Sequence, residues 1–317
     1  MPVTTTGSEL STHGGPGWVP RVATHVDEVA AGGVWAPCGY RSETAALRSV
    51  LLVRPPDSIA AVRRPGTSLM VGQVDLPAMR AQCDALADRL RDHGVEVHLA
   101  SPAATPNVVF ARDLFWMTPA GAVLARMASV QRAGEERHAA LALAGAGFPI
   151  LRTVSGTAVF EGADALWIDP STVIVGTGFR TNAAGAAEVA SAVAGLGARV
   201  VTVPLAPGVQ HLLGTVVFLD PSTAVIHRAA SPPELTTLLS EYGYRVIALP
   251  PDEELLVRRG MNLLVLAPGR VLMPAGCPGI RRTLERAGVA VDEIDVGEYL
   301  RAAGGIGCVT GVVRREH

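Results

Sequence analysis

Four stretches of the chain repeat one pattern: an apolar run, a tight turn and a second apolar run. They read LFWMTPAGAVLARM (114–127), ALWIDPSTVIVGTG (165–178), TVVFLDPSTAVIHR (215–228) and NLLVLAPGRVLMPA (262–275). Their turn prolines, Pro119, Pro170, Pro221 and Pro268, recur at steps of about fifty residues. Proline presets the turn backbone, and the β-branched and aromatic residues on either side favour strands, so each stretch predicts a β-hairpin. A helical pattern and one more short apolar run follow each later hairpin, as in NAAGAAEVASAVAGLG (182–197) before ARVVTVPL (198–205). PPELTTLLSEYG (232–243) and PGIRRTLERAG (278–288) repeat the order, with Gly197, Gly243 and Gly288 where a helix end wants a positive φ. The unit is ββαβ.

An early strand, LRSVLLVRP (47–55), with its helix (76–94) and the strand VEVHLA (95–100), stays unpaired in this scheme, as does the final stretch CVTGVVRRE (308–316). Joining the two ends completes a fifth unit and removes an exposed sheet edge. The expected fold is therefore α/β, a five-bladed pseudosymmetric α/β propeller in a single catalytic domain over 36–317. A doubly wound α/β sheet competes with it, but hairpins at regular steps are not what right-handed βαβ crossovers produce. Residues 1–35, rich in Gly, Thr and Ser without a period, read as a flexible N-terminal arm.

The repeat also aligns polar residues. Six positions before each turn proline stand Asp113, Asp164, Thr215 and Asn262. Asp and Asn are poor strand formers, so their recurrence at the head of apolar strands breaks a local rule in register. In a ring these positions face one mouth. Glu161 and His211 lie just outside it, and Cys308 opens the closing strand after the glycine-rich AAGGIG. Singly, a buried Cys or His is usually structural. Convergence through the repeat makes the set a candidate site.

Composition narrows what such a site serves. Formal net charge is −2 with 4% aromatic residues, so neither a nucleic-acid footprint nor a stacking platform is written here, and a small-molecule partner is expected. No segment resembles a signal peptide or is apolar enough to span a bilayer, which points to a cytoplasmic protein without a membrane partner. The four cysteines, Cys38, Cys83, Cys277 and Cys308, show no metal-binding spacing, and no cofactor is called for. Assembly into a homo-oligomer is left open.

A thiolate is a strong nucleophile, an imidazolium stabilises it, and a carboxylate holds the imidazole in place, which suits Cys308, His211 and Glu161. Further buried carboxylates, Asp113 and Asp164, point to a cationic substrate. A guanidinium donates hydrogen bonds in a planar fork that matches a carboxylate, and Asp113 is the first candidate to grip it. Attack by Cys308 would give a covalent amidino-thioether, with His211 protonating the departing amine and then activating water. Arg126 and Arg180, each following a hairpin, are candidates for a substrate carboxylate.

These motifs resemble those of the guanidine-modifying superfamily, which includes dimethylarginine dimethylaminohydrolases, arginine deiminases and amidinotransferases. The resemblance runs from about Tyr40 to the C-terminus and rests on FARD (110–113), FEGAD (160–164), FRTN (179–182), QHL (210–212) and GGIGCVTGVVRR (304–315). It implies Cys308 as nucleophile, His211 as acid and base, Glu161, Asp113 and Asp164 as the carboxylates of the site, and Arg126 and Arg180 as contacts of the α-carboxylate. Two departures bear on the substrate. Deiminases and amidinotransferases characteristically carry an aspartate two residues after the histidine, where this chain has Leu213; the resemblance therefore leans towards dimethylargininase-like hydrolysis of an N-substituted arginine to citrulline and an amine. Ala163 stands where a second glycine is usual. Trp116 is a candidate apolar wall or a packing residue. Amidino transfer to an acceptor amine and arginine deimination are the enzymatic alternatives, and an amino-acid-binding scaffold is the non-enzymatic one.

Overall fold

In the computed structural model, which describes residues 10–316, the five expected units are five three-stranded sheets. The strands are β1 (Leu47–Val53), β2 (Glu96–Ala100), β3 (Phe115–Thr118), β4 (Gly121–Leu124), β5 (Ile150–Thr153), β6 (Ala165–Asp169), β7 (Thr172–Thr177) and β8 (Arg199–Pro204). They continue with β9 (Val216–Asp220), β10 (Thr223–His227), β11 (Arg245–Leu249), β12 (Leu264–Ala267), β13 (Arg270–Pro274), β14 (Ala290–Ile294) and β15 (Gly311–Arg315). Within four sheets the first two strands form the antiparallel hairpin and the third pairs parallel to the second after its helix, as in β6-β7-β8 and β12-β13-β14. The fifth sheet is β15-β1-β2: the C-terminal strand pairs antiparallel with the first, Val50 opposite Val312, and closes the set.

The DPS turns show why the hairpins recur. Asp169 Oδ1 accepts from the Ser171 amide at 2.6 Å and from its hydroxyl at 2.8 Å, and Asp220 Oδ1 does the same for Ser222 at 2.7 and 2.8 Å. The aspartate thus satisfies the turn while proline restricts the backbone. Gly197, Gly243 and Gly288 take φ of 69°, 74° and 89° behind their helices, the left-handed region expected of them. Trp116 and Trp167 stack in the core at 5.4 Å between ring centroids, and both are about 1% exposed. Trp116 is therefore a packing residue and not a wall of the site.

The inner strands leave a small cavity of about 30 Å³, lined in part by Glu43, Arg112 and Arg315. Arg112, beside Asp113 in sequence, turns into it and donates to Glu43 at 3.4 Å, while Arg315 donates to the carbonyls of Ala45 and Val265. Neighbours in FARD thus serve two places: arginine the ring interior, aspartate the site. Part of the segment expected to be an arm is docked. A helix over His25–Ala31 buries Val29, and His25 Nε2 bonds the Ala120 carbonyl at 2.8 Å; residues 1–9 of that segment lie outside the described residues. Among the described residues no helix is long and apolar enough to cross a membrane.

Candidate active site

The polar residues in register do not begin strands. Asp113 sits in a single helical turn, Ala111–Leu114, and Asp164 in another, Gly162–Asp164, each leading directly into its inner strand. Cys308 likewise lies on a turn of helix, Ile306–Val309, ahead of β15, not on the closing strand itself. At the second of these turns the fit is tight: Gly162 passes so close to the preceding blade that an added Cβ would stand 2.2 Å from the Phe115 carbonyl oxygen, so no side chain fits there. The coiled entry turns raise their side chains into the mouth of the ring.

Glu161, fully buried, is the hub. Its Oε2 lies 2.8 Å from His211 Nε2 and 3.2 Å from Arg180 Nη1, and its Oε1 accepts from the Ala128 amide at 3.2 Å. Burial works against its charge, but the hydrogen bond from His211 and the charges of His211, Arg132 and Arg180 more than offset it and hold the carboxyl well below its ordinary value. For His211 the balance runs the other way: burial favours the neutral ring, yet the carboxylates of Asp113, Asp164 and Glu161 raise it to about 9. With Nε2 committed to Glu161, Nδ1 is the nitrogen left for a reaction; it stands 3.9 Å from Asp113 Oδ1.

Asp113 is buried and only half satisfied. Oδ2 accepts from Arg132 Nη1 at 2.6 Å, whereas Oδ1 has no hydrogen-bond partner. A buried carboxylate oxygen left unpaired is costly, so it marks a place for a donor. Cys308, half-buried, is near enough for Asp113 to act on its thiol. Burial first and Asp113 second push the thiol up, against the Asn262 amide, the Gly305 backbone and Arg259, which pull it down. Asn262 Nδ2 donates to Sγ at 2.9 Å, and Asn262 Oδ1 accepts the Cys308 amide at 3.3 Å. The thiol is therefore held towards its protonated form and oriented by Asn262. The other three cysteines are buried, with thiols pushed up by burial, and lie away from these groups.

Asp164 was expected to touch substrate, but both its oxygens are taken: Oδ1 by the Leu212 amide at 2.9 Å and Oδ2 by the Thr181 hydroxyl at 2.6 Å. It fixes the loop carrying His211, and burial raises it to about 6 against those hydrogen bonds. FEGAD and FRTN interlock: Arg180 holds Glu161, Thr181 binds Asp164 and accepts the Glu161 amide, and Asn182 Oδ1 caps the following helix by accepting from Gly185. Arg126 is exposed and donates to the Ala158 carbonyl at 3.1 Å.

Three residues were missed in the sequence. Arg132, 2% exposed, joins Asp113 to Glu135, to which its Nε donates at 2.8 Å, and lies 3.8 Å from Glu161. Glu135 is its second counter-ion. Arg259 lines the recess beside the thiol. That recess, about 290 Å³, opens from His211 and Cys308 and includes Leu213, but none of Asp113, Glu161, Arg126 or Arg180. Asp113, Glu161 and His211 also offer donor atoms within 4.8 Å of one another, a metal-sized set. Two guanidinium groups already pair with those carboxylates and the imidazole is held protonated, so the surroundings disfavour a divalent ion there.

Residues 70–231 match the arginine deiminase family model. The chain is 30% identical over 264 residues to a dimethylarginine dimethylaminohydrolase of Streptomyces coelicolor, spanning 80% of this chain and 96% of that one. It is 29% identical over 243 residues to the protein of that name from Mycobacterium tuberculosis, spanning 75% and 76%. Among solved structures it superposes on the dimethylarginine dimethylaminohydrolase of Pseudomonas aeruginosa, a mutant complexed with citrulline, with a TM-score of 0.70, 22% identity, and coverage of 85% of this chain and 100% of that one.

Proposed function

Since the chain belongs to the arginine deiminase and dimethylarginine dimethylaminohydrolase family of guanidine-modifying enzymes, and is a hydrolase of C–N bonds in guanidino compounds, we propose that it cleaves an N-substituted arginine to citrulline and an amine, with Cys308 as the nucleophile. The observation that carries this reading is the unpaired Asp113 Oδ1, buried beside the Cys308 thiol and the free nitrogen of a protonated His211.

A guanidinium N–H donating to Oδ1 would satisfy that oxygen and bring a positive charge to the thiol. The charge offsets what burial and Asp113 impose on Cys308, so binding favours the thiolate, its proton leaving to solvent. Sulfur then bonds to the guanidinium carbon. Nδ1 of His211 gives its proton to the substituted nitrogen, the C–N bond breaks, and the amine departs from an amidino-thioether. His211, now neutral, takes a proton from water as the water oxygen bonds to the same carbon. Collapse expels the thiolate and leaves the ureido product. Glu161 keeps the ring oriented through both steps, Asp164 positions its loop, and Arg126 and Arg180 are the proposed contacts of the α-carboxylate. Leu213 supports a substituted nitrogen: where a carboxylate would seek an N–H donor, an alkyl group meets an apolar side chain.

Intact-mass spectrometry of enzyme quenched during incubation with arginine and its N-methylated forms tests this directly. An amidino-sized mass gain, absent in Cys308→Ala, with faster turnover of the methylated forms is the expected result. Preference for plain arginine would overturn the substrate assignment, and turnover by Cys308→Ala would overturn the nucleophile.

A further inference from the structure

A cation stands where a cationic substrate is expected. Arg259 lines the recess next to Cys308 and acts on its thiol. Its neighbour Arg258 is paired with Glu253 at 3.5 Å, but Arg259 has no ion pair or side-chain hydrogen bond among the described residues. Its backbone sits at φ 49°, a conformation that non-glycine residues rarely adopt, and is held there by the Asn262 amide, which donates to the Arg259 carbonyl at 2.7 Å. The residue that orients Cys308 thus also fixes Arg259. A half-buried, unpaired guanidinium beside the binding place of another guanidinium is unfavourable unless an anion lies between or beyond them.

The recess offers a second donor. His227 Nδ1 accepts from the Ala230 amide at 3.1 Å, so Nε2 is the nitrogen that carries a proton to donate, and it has no partner among the described residues. Besides Gln210 and Asn262, the lining offers apolar side chains, among them Leu213, Leu255, Leu256 and Met261. At about 290 Å³ the recess is far larger than a methyl group needs. Its lining includes neither Arg126 nor Arg180, so a substrate whose amino-acid end those arginines hold, as proposed above, would point its nitrogen substituent here.

We propose that this recess receives a carboxylate on the nitrogen substituent, held by Arg259 and His227, so that the substrates are N-(carboxyalkyl) guanidines and the amine released is a small amino acid. The inference rests on the guanidine-hydrolase reading and refines it. The chemistry balances without a co-reactant: water supplies the ureido oxygen, His211 supplies the proton to the leaving nitrogen, and the carboxylate leaves with the amine unchanged.

The test compares Nω-methylarginine with Nω-carboxymethylarginine, which release methylamine and glycine respectively. Wild-type enzyme is expected to favour the carboxymethyl compound in kcat/KM by about tenfold or more, the scale of one or two charge-assisted hydrogen bonds. Arg259→Gln should collapse that ratio mainly through KM for the carboxymethyl compound, and Arg259→Lys should restore part of it. A purely electrostatic role towards Cys308 would lower turnover of both compounds alike and leave the ratio unchanged, which would overturn the proposal. Turnover of the methyl compound with no preference for the carboxymethyl one would also overturn it, while leaving the hydrolase reading intact. Failure to consume either compound, or plain arginine, would remove the hydrolase reading and this inference with it.

Discussion

Replacing Glu161 by Gln removes one charge from the hub while keeping its size, and the consequence for His211 follows from the geometry. Burial favours a neutral ring, but three carboxylates hold it at about 9, and Glu161 is the one in hydrogen-bond contact, at 2.8 Å. A hydrogen bond to a charged group contributes ~1.5–3 kcal/mol, and one pH unit corresponds to ~1.4 kcal/mol, so the ring should fall by roughly one to two units. NMR titration of the imidazole, carried out in Cys308→Ala so that the thiol does not intrude, reads this directly. Stability gives an independent check. The folded pKa of about 9 lies above the ordinary 6.5, so the stabilisation is complete below pH ~6.5 and is lost as pH rises through 9. The difference corresponds to ~3 kcal/mol in urea unfolding between those limits. In Glu161→Gln the loss should be smaller and finish at lower pH. Asp164, raised to about 6, makes its own contribution, lost between its ordinary 3.8 and about 6, outside this window. A His211 titration that Glu161→Gln leaves in place would refute the reasoning.

Asn262→Ala should push the Cys308 thiol further up, since it removes the donor 2.9 Å from Sγ; timed alkylation at pH 8, followed by mass spectrometry, is expected to slow by roughly two- to tenfold, the effect of one hydrogen bond. Arg132→Met should destabilise the fold by ~3–5 kcal/mol in urea, because Asp113 and Glu135 would keep buried carboxylates without their shared counter-ion; an unchanged midpoint would show that the network is not what holds this corner together.

The ring was legible because its units repeat: four prolines in register imply four hairpins, and each DPS turn is closed by its own side chains. Asp113, Asp164 and Asn262 could be read from the same register, Glu161 and His211 from their nearness to it. Their exact backbone could not. The register says where a polar residue breaks an apolar strand, but a one-turn helix at the strand's entry gives the same sequence signal. Arg132 and Arg259 had no signal to offer. QRAGEER and EELLVRRG lie outside the polar register of the repeat, and only folding buries one arginine between two carboxylates and turns the other towards a thiol. Such residues owe their roles to partners far away in sequence, which periodicity does not see.

Under the proposed mechanism, the ionic arrangement of the site also accounts for a thiol that ionises only in company with the substrate. Arg132 is shared by Asp113 and Glu135, while Arg180 and the protonated His211 share Glu161. These buried charges largely answer one another, and what remains is one unpaired oxygen on Asp113 and one protonated thiol. Ionising Cys308 alone would add a negative charge beside Asp113; binding a guanidinium alone would add a positive charge beside His211 and Arg259. Done together they add a neutral pair. Under the proposed mechanism the appearance of the nucleophile is thereby coupled to the arrival of the guanidinium, without any lowering of the thiol's own pKa in advance.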